Sequence, residues 1–267
     1  MNSRNKHHSV SAVCLFFSCC LAFAYALPLI GVVHAQTIDE ARTAYAQGRF
    51  TDAARIGESL GTSQGFALSA KSLSVHAHYV IAKKSEKKEL LERAMSLARK
   101  AVLSDPDNAD AHLQLAHVIG RHSQVIGVLE AAGQAKKIRE SAENALRINP
   151  ELAPAHLSLG RWHSELVGAM GSFMARTAYG ARKKDGIASF ERALVLAPNA
   201  KYVPMEYALG LLALDNVRYR EKARELLMRS IRLPAKDAYE RILHTKAVEL
   251  LNSLDASDDD DDDDDDY

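Results

Sequence analysis

Ala94-Met-Ser-Leu-Ala-Arg-Lys-Ala-Val-Leu-Ser-Asp-Pro106 is the stretch that decides the fold. Ala94, Ala98 and Ala101 recur at spacings of four and three, which puts them on one stripe of an α-helix. Proline then ends the helix and restrains the turn beyond it. The arrangement returns: Arg147-Ile-Asn-Pro150 follows Ile138, Ala142 and Ala145, and Val195-Leu-Ala-Pro198 follows Gly186, Phe190 and Ala193. Ile231-Arg-Leu-Pro234 closes a further unit. Stripes this narrow let a neighbouring helix come close, because the interaxial distance follows the side chains at the contact.

A second helix starts after each proline. Leu115-Ala116 and Leu159-Gly160 stand at the same distance beyond Pro106 and Pro150, and Leu209-Gly210 arrives two residues later after Pro198. Small residues at these places, with proline closing the unit, resemble the tetratricopeptide repeat, a helix–turn–helix of 34 residues. Tyr45-Ala-Gln-Gly-Arg-Phe50 followed by Ala54 looks like the middle of a first, degenerate repeat. The units ending at Pro150 and Pro198 run to 44 and 48 residues. Their extra residues fall between the two helices, around 123–134 and 168–184. Alternating β-branched runs are scarce and the seven prolines lie mostly at helix junctions, so no strand pattern competes. The fold class is therefore all-α, a tetratricopeptide-like helical-hairpin solenoid with lengthened middle repeats, over residues 36–254.

A narrower resemblance rests on His156-Leu-Ser-Leu-Gly-Arg-Trp162, the long insertion after it, Phe190-Glu-Arg-Ala-Leu, Pro198, Tyr207 and Leu233-Pro-Ala-Lys-Asp237. This order is similar to the repeat domain of the regulator-of-microtubule-dynamics family and its bacterial relatives, over roughly residues 90–251. The resemblance implies the fold and an adaptor-like character. It transfers no functional residue.

The two ends of the chain differ from its body. Arg4 and Lys6 head an apolar run from about Val10 to Val33, and Val33-His-Ala35 offers small residues where a signal peptidase cuts. Residues 1–35 thus read as a secretory signal peptide with Gln36 as the first mature residue. The competing reading is an uncleaved membrane anchor, since the run is long enough to span a bilayer; Pro28 and the small residues favour cleavage. All three cysteines (Cys14, Cys19, Cys20) lie in this segment, so the mature chain has no disulfide, thiolate metal site or cysteine nucleophile. An exported domain of this size can be held by its core and needs no covalent staple. At the other end nine aspartates, Asp258 to Asp266, predict a disordered tail over 255–267. Without that run and without Arg4 and Lys6, basic residues outnumber acidic ones by about seven.

Asp110-Ala-His-Leu-Gln-Leu-Ala-His117 raises the question of metal chemistry. Five residues on a helix turn by roughly 140°, so His112 and His117 point to different faces and do not readily share one ion. His112 and His156 each lie six residues after a unit-closing proline. There they are expected to pack between helices with a ring nitrogen on a backbone carbonyl. No Gly-x-Ser-x-Gly elbow, phosphate loop or dinucleotide fingerprint is present. Glu130, Glu165 and Glu206 have nothing in the sequence to single them out as an acid–base pair. The sequence thus points to no catalytic residue, no metal and no cofactor.

The candidate binding residues come from the repeat geometry. His117 and Arg161 follow the small residues Ala116 and Gly160, and each has a polar neighbour one turn on, Arg121 and Glu165. If the first helices line a concave groove, His117, Arg121, Arg161 and Glu165 form a polar ladder facing a peptide or protein partner. The stretch Gly168–Arg182 is rich in small residues and reads as a closely packed helix extension anchored by Phe173 and Tyr179, with Trp162 in the core. Basic clusters at Lys136-Lys137, Arg182-Lys183-Lys184 and Arg218–Arg224 suit solubility, anionic lipid or an acidic partner, and nucleic acid is no target for an exported chain. The reading is a non-enzymatic, envelope-located adaptor or scaffold. A structural component docked on anionic lipid and an enzyme with an unrecognised site are the alternatives. Cleavage is checked by N-terminal sequencing of the exported protein: it begins at Gln36, and an Ala35→Asp variant accumulates at precursor length.

Overall fold

The computed structural model describes residues 36–262, so the leader at 1–35 and the last residues, 263–267, lie outside the described part. Eleven helices follow in order: α1 (Ile38–Ala46), α2 (Phe50–Ser59), α3 (Ser63–Tyr79), α4 (Lys84–Ser104), α5 (Ala109–Ser123), α6 (Val128–Ile148), α7 (Ala153–Tyr179), α8 (Lys183–Leu196), α9 (Tyr202–Leu214), α10 (Arg220–Arg232) and α11 (Ala238–Asp262). Consecutive helices pack in pairs, and α3, α5, α7 and α9 also pack on one another in turn. The result is an all-helical tetratricopeptide-like solenoid of five hairpins and a last helix. Among the described residues no helix is long and apolar enough to cross a membrane.

The turns are fixed by side chains the sequence places there. Thr37 and Glu40 form a reciprocal capping box at α1. Asn108 accepts from the amides of Asp110 and Ala111 to start α5, and its own amide donates to Ser63 Oγ at 2.9 Å. Ser63 in turn donates to the Ala101 carbonyl at 2.8 Å, so one chain of bonds ties α3, α4 and α5 together. The histidines beyond the prolines work in the same way. His112 Nε2 lies 2.9 Å from the Pro106 carbonyl, and His156 Nε2 lies 2.9 Å from that of Pro150. A ring N–H that donates there closes each turn.

The small-residue stripes carry the packing. Ala94, Ala98, Ala101, Ala142, Ala145 and Ala193 are fully buried between helices. One tight point is the Phe190 ring, buried completely and stacked on Tyr207 with centroids 4.8 Å apart. Gly160 and Gly210 leave the space that ring occupies: a Cβ on Gly160 would fall 2.6 Å from Phe190 Cε1, and one on Gly210 2.2 Å from its Cζ. Gly168 has the same role between α7 and α9, where a Cβ would meet the Ala213 carbonyl oxygen.

The extra residues of the middle repeats lengthen helices rather than loops. One insertion is divided between a short connection and the start of α6, and the other extends α7 to Tyr179. The expectation that Phe173 anchors this extension is corrected here. Gly171 interrupts α7 with φ 78° and ψ 159°, which redirects the following turn. Ala175 is then the buried residue, packed with Trp162, Val167 and Ala181, while Phe173 is 79 % exposed. Trp162 is in the core as expected and donates to the Ala135 carbonyl at 2.7 Å.

The solenoid closes on itself. After Pro234 the chain turns into α11, which packs on α9 and α10 and reaches α1. Ala238 joins the cluster of Ala41, Ala44, Tyr45 and Phe50, and Tyr239 meets Tyr79 edge-on at 5.8 Å. Gly48, at φ +85°, allows the α1–α2 turn to approach, since even its absent Cβ would lie 3.1 Å from that of Ala238. The aspartate run also departs from the sequence reading, because α11 continues to Asp262 rather than ending before the tail. Its packed segment supplies the nucleus, and each added residue then gains one backbone bond.

Gly160→Ala and Gly210→Ala are each expected to cost about 1–3 kcal/mol by overpacking. Urea unfolding measures this, and Phe190→Leu in the Gly210→Ala background is expected to recover part of the loss.

Candidate functional site: the central cavity

Closure converts the expected groove into a cavity of about 800 Å³, lined from α1, α3, α5, α6, α7, α9 and α11. Its size falls in the range of pockets that enclose small ligands, roughly 300–1,000 Å³. His117, Arg121, Arg161 and Glu165 all line it. The i, i+4 spacing does what the sequence suggests for α7, where Arg161 pairs with Glu165. It does less for α5, where Arg121 turns to α3 and donates to Ser74 Oγ at 2.7 Å. His112 points away, onto its proline carbonyl, so the two histidines of α5 stand in separate surroundings.

Arg161 has a second partner from a different helix. Its Nη1 donates to Glu206 of α9 at 2.8 Å, so one guanidinium bridges two carboxylates. Burial opposes its charge, but Glu206 and Glu165 outweigh that and raise its pKa. Two carboxylates on one cation leave this wall with an excess negative charge.

The wall formed by α3 and α5 has the opposite character. The Arg121 guanidinium lies 5.9 Å from the Tyr79 ring centroid, and Lys71 Nζ sits 4.6 Å over the Tyr45 ring. Among the described residues no carboxylate forms an ion pair with either. Burial raises the Tyr45 and Tyr239 pKa values, so both hydroxyls stay protonated at neutral pH and offer no counter-charge. The nearby histidines register the same environment. Burial, then Arg121 and Lys71, lower His117 to about 3. Burial, then Arg121, Lys87 and Arg161, lower His78 to about 4.

Two further carboxylates line the cavity but serve α11. Asp237 Oδ1 accepts from the Glu240 amide and Glu240 Oε2 from the Lys236 amide, each at 2.8 Å. The positive end of the helix compensates them. Two buried polar atoms on the lining are left without a partner: the Tyr45 hydroxyl and Gln114 Oε1, in side chains 4 % and 2 % exposed.

Sequence reasoning missed Lys71, Tyr45, Tyr79 and Tyr239, and it named Glu206 without a partner. Lys71 had a usable signal, being the one formally charged residue in α3, a helix otherwise built of small, apolar and neutral polar residues. The tyrosines had none, since they come from α1, α3 and α11 and meet only after closure.

The geometry agrees with the family comparison. The family model described as regulator of microtubule dynamics protein 1-3 matches residues 38–255. The chain belongs to this family. The match takes in the cavity-lining helices and the packed part of α11, and it extends the resemblance to the first two hairpins. Among 25 solved chains that match, a thermophilic tetratricopeptide-repeat protein from Thermus thermophilus shares 18 % identity at a TM-score of 0.56. The alignment covers 79 % of this chain and 96 % of that one, and at this identity it establishes the fold. No curated protein matches the sequence.

The depressed histidines make stability pH-dependent. Unfolding restores a pKa near 6.5, so below that pH the unfolded chain binds more protons, down to about 3 for His117 and about 4 for His78. Stability is therefore full above pH 6.5 and falls as the pH drops through this window. Urea midpoints taken between about pH 7.5 and 4.5 are expected to show that decline, with a shallower slope in His117→Gln.

Proposed function

We propose that this domain is a non-catalytic binding protein that receives a peptide, free or as a segment of a partner protein, in its central cavity. The observation that carries the reading is the lining itself, with apolar and aromatic walls and a few charged groups converging from different helices. Repeat folds present concave surfaces suited to such contacts, and a cavity of about 800 Å³ suits a few residues of such a partner. The four residues chosen from sequence, His117, Arg121, Arg161 and Glu165, are proposed as contacts, with Glu206 and Lys71 added. Residues 1–35 support export, so we place the domain in the cell envelope.

Gly120 provides a test that spares the fold. It lines the cavity, and a Cβ built on it meets nothing within 4 Å. Gly120→Trp therefore fills the cavity without touching the core, and replaces a helix-weakening glycine. The expected result is unchanged or higher thermal stability and loss of whatever cross-linked partner the wild type retains from intact cells. Equal retention by both proteins would place the contact elsewhere on the molecule.

A further inference from the structure

The charges of the cavity are separated, and this deepens the binding reading on which the inference rests. On the α3–α5 wall Lys71 and Arg121 are cations with no ion-pair partner among the described residues, bonded only to Ser74 or set against tyrosine rings. These groups together place two positive charges on one wall of the cavity. A half-buried charge left this way gains from a paired counter-charge. On the α7–α9 wall Glu165 and Glu206 share the single charge of Arg161, and Glu206 also acts across the cavity on Arg121 without an ion pair to it. Asp237 and Glu240 are already held by the backbone amides that open α11.

We infer that the cavity recognises a zwitterion: a ligand whose carboxylate lies between Lys71 and Arg121, and whose ammonium group faces Glu165 and Glu206. A guanidinium and a carboxylate form strong charge-assisted bonds, and an ammonium supplies three donors to the opposite carboxylates. A dianion such as phosphate fits less well, because it meets the excess negative charge of the far wall. Free amino acids and peptides of a few residues with both ends unblocked share this chemistry, and the walls between the poles, including Leu113, Ala116 and Leu157, are apolar.

The test is equilibrium dialysis with mass-spectrometric readout, using the domain with its packed α11 intact. The probes are the free amino acids and a mixed tripeptide library in four forms: both ends free, N-acetylated, C-amidated and doubly blocked. The expected result is retention of the free forms, with each single block reducing retention about tenfold, the size of one lost charge-assisted contact. The amidation penalty should shrink in Arg121→Gln, return in Arg121→Lys and vanish when Lys71→Gln is added to Arg121→Gln, while acetylation should cease to matter in Glu206→Gln. The comparison of blocked with free probes on the wild type stands even if a variant fails to fold. Retention of amino acids without tripeptides, or the reverse, identifies the source of the zwitterion. If doubly blocked tripeptides are held as well as free ones, and Gly120→Trp releases both, peptide binding in the cavity stands and zwitterion recognition is wrong. If the wild type retains no form, both readings fall.

Discussion

Everything in this molecule depends on how closely its helices approach. Alanine and glycine at the contact stripes bring the axes together, and Phe190 between Gly160 and Gly210 shows the limit, since no added carbon fits at either glycine. Close approach fixes the angle at which each hairpin sits on the one before it. Five hairpins stacked in this way return the chain to its beginning, where Ala238 settles among Ala41, Ala44 and Tyr45. The cavity is what remains inside that turn.

The electrostatics follow from the same curvature. In an open stack Arg121 and Lys71 would be solvated surface cations, worth little to one another or to a ligand. Inside the turn they are half-buried and face un-ionised tyrosines and neutral histidines. Arg161 shows the contrast: it is also enclosed, yet Glu165 and Glu206 satisfy it from two helices. The domain thus treats two enclosed arginines differently, one as a strut and one as an open contact.

What could be read from sequence was whatever is local. The alanine stripes, the proline turns, the histidines bonded to proline carbonyls and the Arg161–Glu165 pair all depend on residues within about two turns of one another. The family resemblance was legible for the same reason, in runs such as His156–Trp162. The misreadings have causes that residue patterns do not carry. Phe173 points outward because Gly171 takes a positive φ that composition alone does not reveal. Glu206 reaches Arg161 across 45 residues of chain, and the tyrosines meet only after the last helix crosses to the first. The groove became a cavity for that reason as well: closure is a sum of small rotations, and no single motif encodes a sum.

The contact between α11 and α1 also changes how the domain comes apart. An ordinary repeat stack has two tips, and each terminal unit is held on one side only, so melting starts there and moves inward. Here the terminal units hold each other through Ala238, Gly48 and the Tyr79–Tyr239 edge contact. With both tips spliced, there is no end from which to unzip, and a chain assembled from semi-independent modules acquires the all-or-none character of a single globule.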